Sequence, residues 1–587
     1  MVIFIFSSRN KFASVTMNLG NDDFSLSEIF HLIIPRRSCS LIKDCQEGIV
    51  KSIIFNAGNP GMNVSSILEE IRKQSTLKAL PRHIIEATVE SLCKNGELRK
   101  EDEKYFLKEE EFKRMAEIIK ERKKSLENVE SEIYTRIERE GPSYIKSSKT
   151  AIRIFRDLVS NFLYAESRFI TDMLACKEDV YEPASPLEIL DTILSNVRDI
   201  NTREVIRRSI VGTFESVRKE IIHIFYRAVL NLVCLEMLSI DPSGSMWRKG
   251  DFSGKTVILD TNVLLALVLR DHPQHEVTND VISITSRLGV NFVFTERTKR
   301  EWLEVLEKAN QRFRFLNSTR PSLLGKVEDI FIRSYFKKRE DDPSLRWHEY
   351  YSQMKRIESL VNVWGIQPYE EKEEYTSDAE GLRVLEDLSD EVYRSGRRRL
   401  DARFIKSKSV SEHDAYHLLL VRRLREKSPS DSFGPSCWFL TYDVSLIEAD
   451  RALNMLLKSP HAAPSILLMD TWFLISSLFL KADIEEKKLA RVFVELFRSY
   501  FVTPPGGLSA SMIVEVLNPY LSYKSLSDDD LKAVLENEDV KRLYFELRDA
   551  RSSDPEKARL IYDALRQQVD RIVWGLLENK AKEAGIP

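Results

Sequence analysis

Four acidic residues occupy positions from which a chain can do metal chemistry. Asp260 ends the apolar run Thr256-Val257-Ile258-Leu259, and a helical apolar stretch opens directly after it. An aspartate at the carboxyl end of a buried parallel strand lies where open α/β sheets place their ligands. A second strand over 290–294 leads into Thr295-Glu296-Arg297-Thr298-Lys299-Arg300-Glu301. That pattern starts a helix which Thr295 can cap, with Glu301 facing back toward the strand ends. Asp414, after Ser411-Glu412-His413, reads as a first-turn residue of a further helix, and Cys437-Trp438-Phe439-Leu440-Thr441-Tyr442-Asp443 reads as a strand ending in Thr-x-Asp. A last strand, 465–469, precedes another helix. Carboxylates that meet at one sheet edge repel each other, and their pKa values rise unless a cation sits among them. Mg²⁺ or Mn²⁺, held by oxygen ligands with waters retained, fits that need.

Other chemistry-bearing residues offer less. His413 and His417 are four apart on one helix, a spacing that can ligate zinc, but no HExxH motif or cysteine partner accompanies them. Substrate contact and packing are the readings left open. His272 and His275 flank a proline loop. Glu448 and Asp450 follow Asp443 closely and read as an auxiliary ligand or as surface acids. Gly250-Asp251-Phe252-Ser253-Gly254-Lys255-Thr256 imitates a phosphate loop, yet it is one residue short and precedes its strand instead of following one.

Together, the Leu-Asp-Thr-Asn strand end at 259–262, the Thr-x-x-Thr-x-x-Glu helix start at 295–301, Asp414 and the Thr-x-Asp strand end at 441–443 resemble a PIN-domain nuclease over roughly 256–480. All four acids stand in family order. The resemblance implies an α/β fold with a parallel sheet flanked by helices. It implies that Asp260, Glu301, Asp414 and Asp443 form a catalytic Mg²⁺ or Mn²⁺ site, with Asp260 and Asp414 as direct ligands. Asn262, Thr295 and Thr441 would orient the site. The implied activity is endonucleolytic hydrolysis of phosphodiesters, in RNA more than DNA, since the family more often cuts RNA. An inactive PIN-fold scaffold and a winged-helix DNA-binding regulator are the alternatives. The chain departs from the family in the length between Glu301 and Asp414, which implies a large helical insertion over about 305–408. That insertion ends in a basic run, Arg394, Arg397, Arg398, Arg399, Arg403, Lys406 and Lys408, against the single acid Asp401. Such a run leading to an acidic centre suits a nucleic-acid backbone, although a plain solvated face fits equally. Trp347, Tyr350, Tyr351 and Trp364 could stack bases but lie at helical spacing and read as core.

The elements that position this chemistry need a long chain. At 587 residues, several domains are expected. The leader 1–48 precedes a segment over 49–112 whose order of three helices and a hairpin resembles a winged helix. Its third helix, with Arg82, His83 and Lys94 beside Glu86 and Glu90, is poorly suited to reading DNA, so docking to a protein partner or a purely structural role is the stronger expectation. A helical bundle is expected over 113–245, the PIN-like domain over 250–480, and a helical region over 482–587 serving docking or self-association. Lys plus Arg number 88 and Asp plus Glu 91, so the net charge of −3 gives no global argument for nucleic acid, and any such site must be local. Six scattered cysteines without a CxxC, and no apolar run of membrane-spanning length, point to a cytoplasmic protein without a membrane partner. The start is Met1 or Met17.

Overall fold

The computed structural model describes residues 41–73, 80–174, 186–216, 219–241, 252–370, 383–392, 408–427, 435–457, 463–480, 486–499, 510–523, 525–550 and 555–583. The chain divides into two compact units. One is drawn from Met1–Ala175, Pro183–Gly250 and Lys481–Val494, the other from Cys176–Glu182, Asp251–Leu480 and Glu495–Pro587.

In the first unit, helices α1 (Leu41–Asn56), α2 (Val64–Lys73) and α3 (Arg82–Lys94) precede an antiparallel hairpin, β1 (Leu98–Glu101) and β2 (Lys104–Leu107). Ile53 and Ile54 lie in the last turn of α1. Asn59 pins the loop after α1 to the hairpin, donating to the Leu107 carbonyl at 3.0 Å and accepting from its amide at 2.8 Å. Gly61 has φ +74°, and a β-carbon there would meet the Phe106 ring at 2.2 Å, so the loop closes only on glycine. The hairpin tip places Asp102 and Glu103 at positive φ and fully in solvent. Long helices α4 (Glu109–Glu140), α5 (Ser148–Leu174), α6 (Pro186–Leu194), α7 (Ile200–Ser216) and α8 (Lys219–Ile240) follow. Lys51 of α1 is fully buried and ion-pairs Glu97 at 2.6 Å and Glu111 at 3.1 Å.

The second unit carries a five-stranded, wholly parallel sheet, in the order β5-β4-β3-β6-β7. Its strands are β3 (Thr256–Leu259), β4 (Asn291–Phe294), β5 (Gln367–Pro368), β6 (Cys437–Thr441) and β7 (Ile466–Leu468). The central strand β3 and its neighbour β6 are almost wholly buried, which explains their unbroken apolar sequence. Strand β5, absent from the sequence reading, is two residues long and ends in Pro368, which cannot donate to a ladder and so suits the sheet's edge. Around the sheet run α9 (Thr261–Val268), α10 (His275–Thr285), α11 (Glu296–Thr319), α12 (Ile330–Asp341), α13 (Trp347–Met354), α14 (Ile357–Val361), α15 (Lys408–Lys427), α16 (Leu446–Leu456) and α17 (Met469–Phe479). Further helices after 510 join this unit, where Arg320 ion-pairs Asp528 at 2.8 Å. Among the described residues, no helix is long and apolar enough to cross a membrane.

Phe313, Tyr335, Trp347 and Tyr350 build a core between Glu301 and Asp414, and Tyr351 and Trp364 are half-buried. Phe313 stacks on Trp347 at 4.1 Å, Tyr335 meets the same indole edge-on at 5.3 Å, and Trp347 Nε1 donates to Asn310 at 2.9 Å. Tyr350 is fully buried, the Tyr351 hydroxyl donates to Glu307, and Trp364 Nε1 donates to Asn279. Lys337 pairs with Glu340, while Lys338 and Arg339 lie over the rings of Tyr350 and Tyr335.

Two predictions follow from this packing. Trp347→Ala should lower stability by about 3–5 kcal/mol in chemical denaturation, through lost burial and a cavity; normal unfolding with lost nucleic-acid affinity would instead make the ring a ligand contact. The second concerns Glu111. Against the cost of its burial, hydrogen bonds from Arg114 and the charge of Lys51 hold its carboxyl at about 2, below the ordinary 4.5. A depressed carboxyl contributes stability that is present above its unfolded value and lost as pH falls through the folded one. Acid titration of stability should therefore steepen between pH 4.5 and about 2, and Glu111→Gln should flatten that window; an unchanged profile would contradict the assignment.

Candidate metal centre

The sheet register builds the site. Because Leu259 pairs with Leu440 and the Asp260 amide donates to the Leu440 carbonyl at 3.0 Å, Asp260 emerges from β3 beside Thr441 at the end of β6. The Thr441 hydroxyl receives hydrogen bonds from Asn262 Nδ2 at 3.0 Å and from the Asp443 amide at 2.9 Å. Both partners are donors, so the single hydroxyl proton of Thr441 goes to Asp260 Oδ2, 2.6 Å away. Asn262 Oδ1 in turn accepts from the Tyr442 amide at 3.2 Å. The expected orienting roles of Asn262 and Thr441 thus have a physical form: they tie the ends of two adjacent strands to one carboxylate.

The other oxygen of Asp260 accepts from the Thr261 amide at 2.6 Å and caps α9. Asp260 is 4 % exposed. Burial would raise its pKa, but His413, its Nε2 3.8 Å away, and the Thr441 hydroxyl hold the carboxyl below its ordinary value.

Glu301 reaches the same place from α11. Thr295 caps that helix, accepting from the Thr298 amide at 3.1 Å, and Glu301 Oε2 accepts from the Thr261 hydroxyl at 2.5 Å. Asp260 and Glu301 therefore meet, one residue of α9 apart. The third member is a histidine. His413 Nε2 stands 3.1 Å from Glu301 Oε2 and 3.8 Å from Asp260 Oδ1. Donor atoms of Asp260, Glu301 and His413 all lie within 4.8 Å of one another, a group that could hold a metal ion.

Of the four acids expected at one centre, Asp260 and Glu301 fall in this group, and Asp414 and Asp443 stand outside it. Asp414, expected as a direct ligand, stands outside the three-donor group, although it is buried and its negative charge acts on His413. The reason is helix register. Helix α15 begins at Lys408, earlier than the sequence suggested, so Asp414 lies in its second turn, and the face that meets the strand ends carries positions 413 and 417. The His417 ring stacks on Phe439 of β6 at 4.8 Å, fixing that face on the sheet. Asp443 is one link from the centre, through its amide and Thr441, while its Oδ1 accepts from the Ser445 amide and hydroxyl and shapes the turn into α16.

His417 has a supporting part. Its Nδ1 lies 2.8 Å from the His413 carbonyl, which can only accept, so Nδ1 carries the proton. Its Nε2 then accepts from Thr295, 2.7 Å away. Burial, and next the charge of His413, push the His417 pKa well below its ordinary value, so the ring is neutral. His413 behaves oppositely: burial opposes its charge, but Asp260, Glu301 and Asp414 raise its pKa. The spacing of the two histidines was visible in the sequence. Nothing local told which of positions 413 and 414 would face the strands.

The remaining candidates have other work. Asp450 is buried and accepts from the Ser465 amide at 2.6 Å, with Arg422 3.6 Å away. His272 accepts from the Gln274 amide, and His275 bonds the Ala266 carbonyl. Arg297, one helical turn before Glu301, packs on the Tyr416 ring at 3.9 Å. Of the basic run, Arg394, Arg397, Arg398, Arg399, Arg403 and Lys406 lie outside the described residues, and Lys408 begins α15.

Thr441→Val keeps the shape of the side chain and removes the hydroxyl. It should cost about 2 kcal/mol in denaturant unfolding, because buried Asp260 loses a donor while two amide donors lose their acceptor. Thr441→Ser should recover most of that. Equal losses in both variants would show packing, not the hydroxyl, to be what matters.

No family model matches the chain, and neither does any curated protein or solved structure.

Proposed function

We propose that the second unit is a PIN-like, divalent-metal-dependent endonuclease that hydrolyses phosphodiester bonds, in RNA before DNA. The observation that carries this reading is the meeting of Asp260, at the carboxyl end of β3, with Glu301, from the helix that follows the adjacent parallel strand β4, the charge of Asp414 acting on the same His413. The donor set fits a divalent ion on its own chemistry: two carboxylates, one buried and one half-buried, and an imidazole nitrogen within 4 Å of both. Donors sharing one ion at about 2.1 Å stand about 3–4.2 Å apart. The 3.1 and 3.8 Å separations from His413 Nε2 fall inside that range.

Asp260 and Glu301 would hold the ion, with Asp414 and Asp443 completing the site directly or through water. A bound divalent ion supplies Lewis acidity, lowering the pKa of water and offsetting charge on the phosphodiester oxygens. The chain's own groups do the rest. Thr441 and Asn262 keep Asp260 oriented and ionised. Thr295 and His417 fix the helix that carries His413. Arg297, beside Glu301, and the basic run at 394–408 offer cations to a phosphate backbone. The segment at 49–112, winged-helix-like in its order, and the C-terminal helices would select the substrate or a protein partner, or join two copies of the chain. The acidic hairpin tip at Glu101-Asp102-Glu103 speaks against a DNA-bound regulator, since it would face phosphate.

One observation favours a second reading, a PIN-fold scaffold without catalysis. His413 lies against both acids and, when protonated, is itself the counter-charge the pair needs. A cleavage assay separates the two. Labelled single-stranded RNA and DNA are incubated with Mn²⁺, with and without chelator. The nuclease reading expects RNA cleavage that chelation abolishes and that Asp260→Asn lowers by more than about a hundredfold. Cleavage that survives either change would sink it. Arg398→Glu should weaken RNA binding while leaving metal affinity intact.

A further inference from the structure

We infer that His413 is a nitrogen ligand of the ion held by Asp260 and Glu301, and that the centre therefore selects a first-row transition ion over Mg²⁺. The inference rests on the metal-site reading above and goes beyond it, because an all-carboxylate centre would discriminate little between Mn²⁺ and Mg²⁺.

Three features of His413 carry it. Its side chain is 7 % exposed, yet its Nε2 is a buried polar atom without a properly directed hydrogen bond, although two carboxylates stand within 4 Å. A nitrogen placed to satisfy a neighbouring acid would point a hydrogen along one oxygen; this one lies 3.1 Å from Glu301 Oε2 and 3.8 Å from Asp260 Oδ1 without doing so for either. Next, the ring is held by what surrounds it. Its own carbonyl accepts from His417 Nδ1, and the two rings pack at 4.3 Å. His417 is fixed from the far side by Thr295, so a chain of contacts runs from the cap of α11, which carries Glu301, to the helix that carries His413. The two donors are thus set against each other by one buried network. Finally, the donor types decide selectivity. Carboxylate oxygen suits Mg²⁺ and Mn²⁺ alike, whereas imidazole nitrogen favours transition ions, and Mg²⁺ exchanges water for nitrogen reluctantly.

Mn²⁺ is the probe that tests this, because its unpaired electrons report directly on bound nitrogen. The full-length protein is loaded with Mn²⁺ and examined by pulsed electron paramagnetic resonance. The expected result is modulation from a coordinated ¹⁴N nucleus in the wild-type protein, lost in His413→Gln. In equilibrium titrations, His413→Gln should weaken Mn²⁺ by about 10–100-fold and Mg²⁺ by no more than about threefold. Mn²⁺ that binds, depends on Asp260, and carries no nitrogen modulation would overturn the assignment of His413 while leaving the metal site standing. Equal loss of both ions in His413→Gln would overturn the selectivity. A wild-type protein that binds no Mn²⁺ would overturn both this inference and the nuclease reading. The wild-type spectrum decides the ligand even if the variant folds poorly.

Discussion

The hydroxyl of Thr441 is the small group on which the sheet edge depends. It has one proton and two lone pairs, and all three are used: the proton on Asp260, the lone pairs on Asn262 and the Asp443 amide. Strands β3 and β6 are brought together by chain segments about 180 residues apart, and this hydroxyl ties their ends where the ladder stops. A buried carboxylate is costly unless its oxygens are bonded. Here those bonds come from the strand end and from the first amide of the following helix, so a charged group closes a hydrophobic layer without breaking it.

Given that fixed acid, the second acid raises the question of charge. Glu301 stands beside Asp260 because its helix is capped by Thr295 and because Thr261 donates to it. Two carboxylates in so little water repel unless something positive intervenes. The fold meets this with an imidazole whose burial disfavours charge and whose neighbours favour it. The arrangement has two electrostatically sound states: a protonated His413 between the acids, or a divalent ion with His413 neutral and ligating. Which state holds at neutral pH separates a scaffold from a catalyst.

Much of this was legible in the sequence because strand ends announce themselves. The apolar runs before Asp260 and Asp443, and the Thr-capped helix start before Glu301, are local patterns with local causes, and the structure has strands and a capped helix there. The position of His413 was not legible. Positions 413 and 414 are successive residues of one helix and point about 100° apart, and only the packing of that helix on the sheet decides which of them meets the strand ends. Strand β5 escaped notice because two residues with a proline carry no period. The grouping of the C-terminal helices with the sheet unit rests on long-range pairs such as Arg320 with Asp528, for which no local signal exists. Of the aromatic residues of the insertion, Trp347 and Tyr350 are buried among Phe313 and Tyr335, a long-range packing that helical spacing alone does not specify, while Tyr351 and Trp364 are half-buried.

The central claim is that Asp260, Glu301 and His413 share one divalent ion. A crystal grown with Mn²⁺, measured at the manganese edge, tests it most directly. The account predicts one strong anomalous peak between the two carboxylates and Nε2 of His413. No peak there at saturating Mn²⁺, with His413 still lying against Glu301, would contradict it and leave the protonated imidazole as the counter-charge of the two acids.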